Sequence, residues 1–353
     1  MEKKVEKVKR QSGIELLRII AICGVVVLHY NNRDIGGALK YVSEGTLNYY
    51  LLNILESLFI CGVNLFILIS GYFLCVSQKR KVIRIFELII QVSIFGMIKS
   101  LIQGMSLKGI IISAIPNNYF VILYIVLYLI SPYINLLLAN LKGEKLNRFF
   151  ILSIMLFSVW PTAVDVFEEI TTREWMGLSS IGMYGSQAGY TVVNFVLLYL
   201  IGAYIHLSDF QFSRLGKGKL IICVIGCSIL LTIWTIVLPK TALEYCNPII
   251  IIEAVCLFLV FKEMNFYNCF VNSLAKATFT CFLLHDIFLP YLNIERAVKS
   301  NILFLSIHIL GSIIGIYLLS WAAYLGYEYL TNYFFAKINL YTSKWDKNIS
   351  LHN

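Results

Sequence analysis

Residues 13–30 read GIELLRIIAICGVVVLHY, an apolar run interrupted by three ionisable side chains, Glu15, Arg18 and His29. As a helix, the run rises about 27 Å at roughly 1.5 Å per residue, close to the ~30 Å of a bilayer's hydrocarbon core. An ionisable group in such a segment costs a few kcal/mol on insertion scales, so each needs a partner or a task. Arg18 and His29 are eleven residues apart. That spacing is three turns plus about 20°, which puts them on one face about 16 Å apart along the axis. Glu15 precedes Arg18 by three residues on the same face and is placed to neutralise the guanidinium. A second reading suits the same residues: a snorkelling interfacial pair, with the histidine reaching the opposite headgroups.

The rest of the chain is built in the same way. Of its 353 residues, 59% are hydrophobic and 14% charged, against roughly 45–50% and about 25% in a soluble protein. With a mean hydropathy of +0.77, a water-soluble globule is excluded. Apolar runs predict ten helices at 13–30, 50–76, 82–103, 119–139, 149–168, 190–207, 219–239, 248–264, 278–294 and 302–326. The expected fold is an all-α integral membrane protein of about ten transmembrane helices, both termini cytoplasmic, with no soluble domain. Its parts are a basic N-terminus (1–12), the membrane domain (13–326) and an amphipathic cytoplasmic tail (327–353), of which 327–340 is expected at the membrane surface. Ile110 to Ile115, before Pro116, is too short to cross and reads as re-entrant or interfacial.

Lys and Arg in alternate connections number twenty on the side of the termini and eight on the other. By the positive-inside rule, that side is cytoplasmic. The net charge of +9 therefore reflects topology, and no nucleic-acid partner is expected. MEKKVEKVKR is like the start of a signal peptide, but the run after it lacks a small-residue cleavage site and reads as a retained first span. The nine cysteines lie mostly within or beside spans, without ligand spacing. They read as small packing residues, and no metal site or disulfide is expected. The outer connection, about 168–190, carries acids, a Trp and two Tyr, which suits either a sugar-facing loop or interfacial belt aromatics.

The second span, YLLNILESLFICGVNLFILISGYFLCV, places Glu56 at a depth comparable to His29. A carboxylate there would fix the imidazole's tautomer and raise its basicity, as a general base requires. Toward its other end come Ser70 and Gly71, then QKRKVIR, and the third span opens with Arg84 and Glu87. Arg18, Arg80, Lys81 and Arg84 thus form a cationic cluster at one membrane face. It could grip phosphates through charge-assisted contacts, and it is equally what the positive-inside rule produces. Ser70 lacks the surroundings of a nucleophile and reads as a small residue that lets helices approach. His285 and Asp286 in the ninth span suit the lining of a hydrated cavity or a structural hydrogen bond. His308 reads as a packing histidine; His206 and His352 carry no assigned role.

These segments resemble the integral-membrane acyltransferases of acyltransferase family 3. The likeness begins with an acid, two residues, Arg, ten residues and His, matched by Glu15, Arg18 and His29. It continues through Phe66, Ser70, Gly71, Tyr72, Phe73, Arg80 and Arg84, then YFVILYIVLYLISPYIN, VNFVLLYLIGAYI and ATFTCFLLHDIF, which carries His285. The order holds over about 13–326. Two departures stand out: Ile85 and Phe86 follow Arg84 where some members have a Pro, and no esterase-like extracellular domain is expected after the last span.

The resemblance implies transfer of an acyl group, usually acetyl from acetyl-CoA, to a hydroxyl of a carbohydrate or lipid-linked glycan in a bacterial plasma membrane. The donor is a substrate; no permanently bound cofactor is expected. On this reading Arg18, Arg80, Lys81 and Arg84 hold the CoA phosphates. His29 acts as base or transient acyl carrier, oriented by Glu56, with Glu15, Ser70, Glu87, His285 and Asp286 in support. A donor entering from the cytoplasm and a histidine near the outer face would pass the acyl group across the membrane. The alternative is a multispan transporter or flippase for an amphipathic anion or glycolipid, against which no Gly- or Pro-broken helices occur in matching halves. A third reading is a membrane scaffold without catalysis.

Overall fold

The computed structural model describes residues 11–208 and 212–342, and no strand occurs among them. Seven helical segments are long and apolar enough to cross a membrane: Ser12–Asn31, Leu47–Leu74, Val82–Ile102, Tyr119–Ala139, Glu144–Thr171, Lys217–Val237 and Ile302–Ile338. Val192–Leu207 is apolar but has 16 residues. Pro248–Lys262 and Thr278–Phe288 have 15 and 11 residues. Each of the ten apolar runs is therefore helical, while three fall short of spanning length. The shortest is bounded by turns: Lys276 and Ala277 separate it from Cys269–Ala275, and Pro290 sits in the 3₁₀ turn Leu289–Tyr291 that follows.

Local chemistry accounts for the ends and irregularities. Thr46, Asn118, Thr191, Asn247 and Asn268 each accept a backbone N–H in the first turn of the helix they precede, as N-caps do. Pro132 lies inside Tyr119–Ala139. Its missing N–H frees the carbonyl of Tyr128, which accepts instead from Ser131 Oγ at 2.8 Å. Pro161 is preceded by a π-turn, Met155–Val159, at the point where the ladder loses a donor. The second span is interrupted by a turn at Ile60 and Cys61 between Leu47–Phe59 and Gly62–Leu74.

Ser12–Asn31 runs through the centre, packed against Leu47–Phe59, Gly62–Leu74, Pro248–Lys262, Cys269–Ala275 and Thr278–Phe288. Leu17, Leu68, Tyr199 and Phe258 are fully buried in the largest apolar cluster. Gly62–Leu74 and Val192–Leu207 meet at backbone distance. A Cβ on Gly71 would lie 2.2 Å from the Tyr199 carbonyl oxygen, and one on Gly202 2.2 Å from that of Leu68. Outward faces remain apolar, as in Ile222, Ile225, Ile229 and Ile233 of Lys217–Val237, which suits contact with lipid.

The last helix, Ile302–Thr342, has 41 residues and no break at 326. The segment 327–340 contains neither Pro nor Gly, so the helix continues through the boundary expected there. Leu107–Ser113 is a short helix against Val82–Ile102, where Ser93 Oγ donates to the Ala114 carbonyl at 2.6 Å. Residues 1–10 and 343–353, including His352, lie outside the described residues.

Candidate functional site

Two adjoining cavities run along the bundle. The larger, about 610 Å³, lies at the Arg18 end and is lined by residues of seven helical segments. The smaller, about 340 Å³, lies at the His29 end. Val25, Val63 and Phe282 line both. Helical spacing produces this path. Arg18, Val25 and His29 fall on one stripe of the first helix, at intervals of seven and four residues. Along Val82–Ile102, Arg84, Glu87, Leu88 and Gln91 line the larger cavity, and Val92, Gly96 and Lys99 the smaller. Thr278 and Phe279 lead through Phe282 to His285 and Asp286 in the same way.

The larger cavity holds three cation–carboxylate pairs. Arg18 Nη1 is 3.0 Å from Glu15 Oε1, Arg84 Nη1 3.1 Å from Glu87 Oε2, and Lys276 Nζ 3.0 Å from Glu328 Oε1. Two of these pairs are formed by expected residues. Lys276 lies in the turn before Thr278–Phe288, and Glu328 in the segment 327–340 expected at the membrane surface. The uninterrupted last helix brings Tyr324, Tyr327, Glu328 and Phe335 to the wall. Ser70 also lines this cavity, its Oγ donating to the Phe66 carbonyl at 2.9 Å.

Arg80 and Lys81 line neither cavity. Arg80 is 1% exposed, and its guanidinium donates to Ser131 Oγ (2.8 Å) and to the carbonyls of Ser77 (2.8 Å), Lys79 (3.0 Å) and Leu74 (3.4 Å). These contacts close the C-terminus of Gly62–Leu74, where Asn135 Nδ2 also donates to the Leu74 and Ser77 carbonyls. Lys81 is exposed, and its backbone N–H donates to the Tyr128 hydroxyl at 2.9 Å.

At the other end, the rings of His29 and His285 meet edge to face with centroids 4.5 Å apart. His29 Nδ1 is 2.9 Å from the Val25 carbonyl oxygen and His285 Nδ1 3.1 Å from that of Cys281. A carbonyl only accepts, so each Nδ1 carries hydrogen, and each neutral ring keeps its lone pair on Nε2. His285 Nε2 is buried without a hydrogen-bond partner. Glu56 and His29 both line the smaller cavity. The carboxylate's hydrogen bond, however, is accepted from Asn31 Nδ2 at 2.8 Å, and the ring contact of His29 is with His285.

Asp286 is paired with Lys99. Lys99 was absent from the sequence-derived candidates, although a cation near the end of an apolar run was a usable signal. Asn117, Asn118, Tyr119, Tyr190 and Tyr245 complete the smaller cavity. The rings of Tyr119 and Tyr190 lie 4.8 Å apart, and those of Tyr190 and Tyr245 5.1 Å apart. Tyr190 comes from the long connection read as sugar-facing or interfacial. It follows Gln187 and Ala188, whose φ values of 54° and 51° are left-handed, a strained backbone for non-glycine residues. His308 accepts or donates 2.8 Å from the Tyr30 hydroxyl, and His206 packs on Tyr72 at 4.7 Å between centroids. Both lie away from the two cavities. No group of three or more potential metal-ligating side chains occurs among the described residues.

Fold and site together define a helical, multi-pass membrane protein with polar groups strung along an internal path. The family model described as Acyltransferase domain (Acyl_transf_3) matches residues 11–325, and the chain belongs to that family. No curated protein and no solved structure matches it. The match bears out the resemblance to acyltransferase family 3, and the activity it supports for the chain is acyl transfer.

Proposed function

We propose that the protein moves an acetyl group from acetyl-CoA to a hydroxyl of a cell-surface or lipid-linked glycan. The observation that carries this reading is the path itself: a cavity rimmed by Arg18, Arg84 and Lys276 adjoins one in which His29 and His285 face each other. The cations suit the CoA phosphates, and the junction lined by Val25, Val63 and Phe282 suits the uncharged arm with its thioester. Arg18 and His29, about 16 Å apart along one helix face, separate phosphate binding from chemistry.

His29 Nε2 takes the proton of the acceptor hydroxyl while the oxygen bonds to the thioester carbonyl carbon. The C–S bond then breaks, and the imidazolium returns the proton to the leaving sulfur. Two charged imidazoles at this separation would repel strongly, so the pair carries a single added proton during the cycle. Tyr119, Tyr190, Asn117 and Asn118 support a carbohydrate as acceptor, since they offer ring faces and amides at the cavity wall. The bias of Lys and Arg supports cytoplasmic termini in a plasma membrane, with the donor entering from the cytoplasm and the acceptor approaching from outside.

The test is incubation of membranes with acetyl-labelled acetyl-CoA and a glycan-lipid extract. Wild type should label glycan and release thiol, and His29→Ala should lower the rate by about 10²–10⁴-fold. Label that persists in folded His29→Ala refutes the assignment, and an unmodified substrate crossing the membrane would establish the transporter reading instead. In sealed vesicles with external donor on the cytoplasmic face, label on the opposite face supports transfer across the membrane; label confined to the donor face refutes it.

A further inference from the structure

Val25, Val63 and Phe282 are the walls common to both cavities, and all three are apolar. On the donor side lie three cations, and beyond the neck the two imidazoles, Glu56 and the Lys99–Asp286 pair. An acyl group held on a donor whose phosphates stay with Arg18, Arg84 and Lys276 must thread this neck before it reaches His29. Phe282 is the bulkiest of the three residues. It stands three residues before His285 on the same helix face, with ring centroids 6.2 Å apart. Its ring is braced from the donor side, 5.4 Å from Phe120 and 6.2 Å from Phe279. A ring held by two others on a helix of the packed bundle does not swing aside freely.

We propose that Phe282 is the residue that limits the length of the acyl group, restricting the donor to short chains. The inference rests on the acyl-CoA reading above. A two-carbon acyl group passes the two valines and the ring. Each further methylene must find room between the braced ring and the two valines, where the ring itself stands. Removing the ring would open that space beside His285, where added methylenes would then bind.

The experiment compares acetyl-, butyryl- and hexanoyl-CoA as labelled donors, using membranes and the same glycan-lipid extract, and reads the ratio of hexanoyl to acetyl transfer. Wild type should favour acetyl strongly. Phe282→Ala should raise the ratio by about tenfold or more, the order by which a pocket discriminates added methylenes, and Phe282→Leu by less. Phe279→Ala removes one of the two rings that brace Phe282 and should raise the ratio by less than Phe282→Ala. Phe282→Leu, checked for a single symmetric peak on gel filtration, keeps the test decisive if the alanine variant misfolds. A ratio equal in wild type and the folded Phe282 variants overturns the proposal while leaving the acyl-CoA reading intact. A wild type that transfers no acyl group from any of the three donors overturns both.

Discussion

Replacing Glu328 with Gln should tighten donor binding, an unusual direction for loss of a cavity residue. Glu328 occupies the Lys276 ammonium at 3.0 Å, with side-chain exposures of 28% and 40%. A pair that exposed is worth about 0.2–1 kcal/mol, and an incoming phosphate must displace it. Removing the carboxylate therefore lowers the KM for acetyl-CoA by about 1.4- to 5-fold at low ionic strength, since roughly 1.4 kcal/mol is tenfold. Lys276→Gln removes the cation and raises KM by a similar factor. Neither touches the His29 end, so kcat stays near wild type. Both effects should fade in ~1 M salt, where the screening length is about 3 Å. The assay is initial-rate thiol release against acetyl-CoA concentration at two salt concentrations. A raised KM in Glu328→Gln, or an unchanged KM in Lys276→Gln at low salt, refutes the view that this pair is a resident counter-ion of the donor site.

Arg80→Ala should reduce the yield of folded protein while leaving the KM for acetyl-CoA unaltered in what survives. It removes a donor from the Lys79 carbonyl and from Ser131 Oγ, and leaves the Leu74 and Ser77 carbonyls with Asn135 in its place, at about 1–3 kcal/mol for each group left unsatisfied; normal stability with a raised KM would show the opposite. Gly71→Ala should destabilise by about 1–3 kcal/mol through overpacking, because its Cβ would lie 2.2 Å from a backbone oxygen, and heating followed by gel filtration reads the loss. His285→Gln should lower kcat and alter its pH profile with little change in KM, and an unchanged profile in folded protein would exclude a role beside His29. In the connection before Pro248, burial and then the Asp165 carboxylate push Glu244 up to about 9 from an ordinary 4.5, while its Oε2 accepts from Ser186 Oγ at 3.0 Å. A raised folded-state value means that its stabilisation is complete below about 4.5 and is lost as pH rises toward 9. Hydrogen exchange in residues 172–190, corrected for intrinsic rate, should therefore lose protection across that window, and constant protection would refute it.

Most of the helices were legible because a membrane demands long apolar runs, and all ten runs are helical. Lengths were less legible. Thr278–Phe288 ends where turns and Pro290 intervene, and the last helix runs past 326 because nothing in its sequence stops it. At the site, Arg18, His29 and Glu15 could be placed from spacing along one helix, and Arg84 with Glu87 from i, i+3 geometry. Partnerships between helices had no such ruler. His29 meets His285, some 250 positions away, while Glu56 pairs with Asn31 in the first helix. Lys276 and Glu328 lie in segments that read as loop and tail. Arg80, a phosphate ligand by proximity in sequence, turns inward to cap the helix that precedes it, because charge counts give no information on side-chain direction.

The pairing of charges along the path explains how so many ionisable groups coexist in an apolar bundle. Arg18, Arg84, Lys276 and Lys99 each have a carboxylate partner, so the cations that line the two cavities are carried into the membrane with a counter-charge. The same pairing makes the larger cavity nearly neutral, and a singly charged anion gains little by displacing one glutamate. A ligand bearing several phosphates can exchange with three pairs at once, and its gain grows with each exchange because the contacts share one orientation cost. On the acyl-CoA reading proposed above, selection for a polyanionic donor follows from the glutamates as much as from the cations. At the opposite end the imidazoles are held by backbone carbonyls rather than by a charged partner. Each imidazole has its Nδ1–H tied to its own helix, so both basic nitrogens are available without an ion having been buried to hold them.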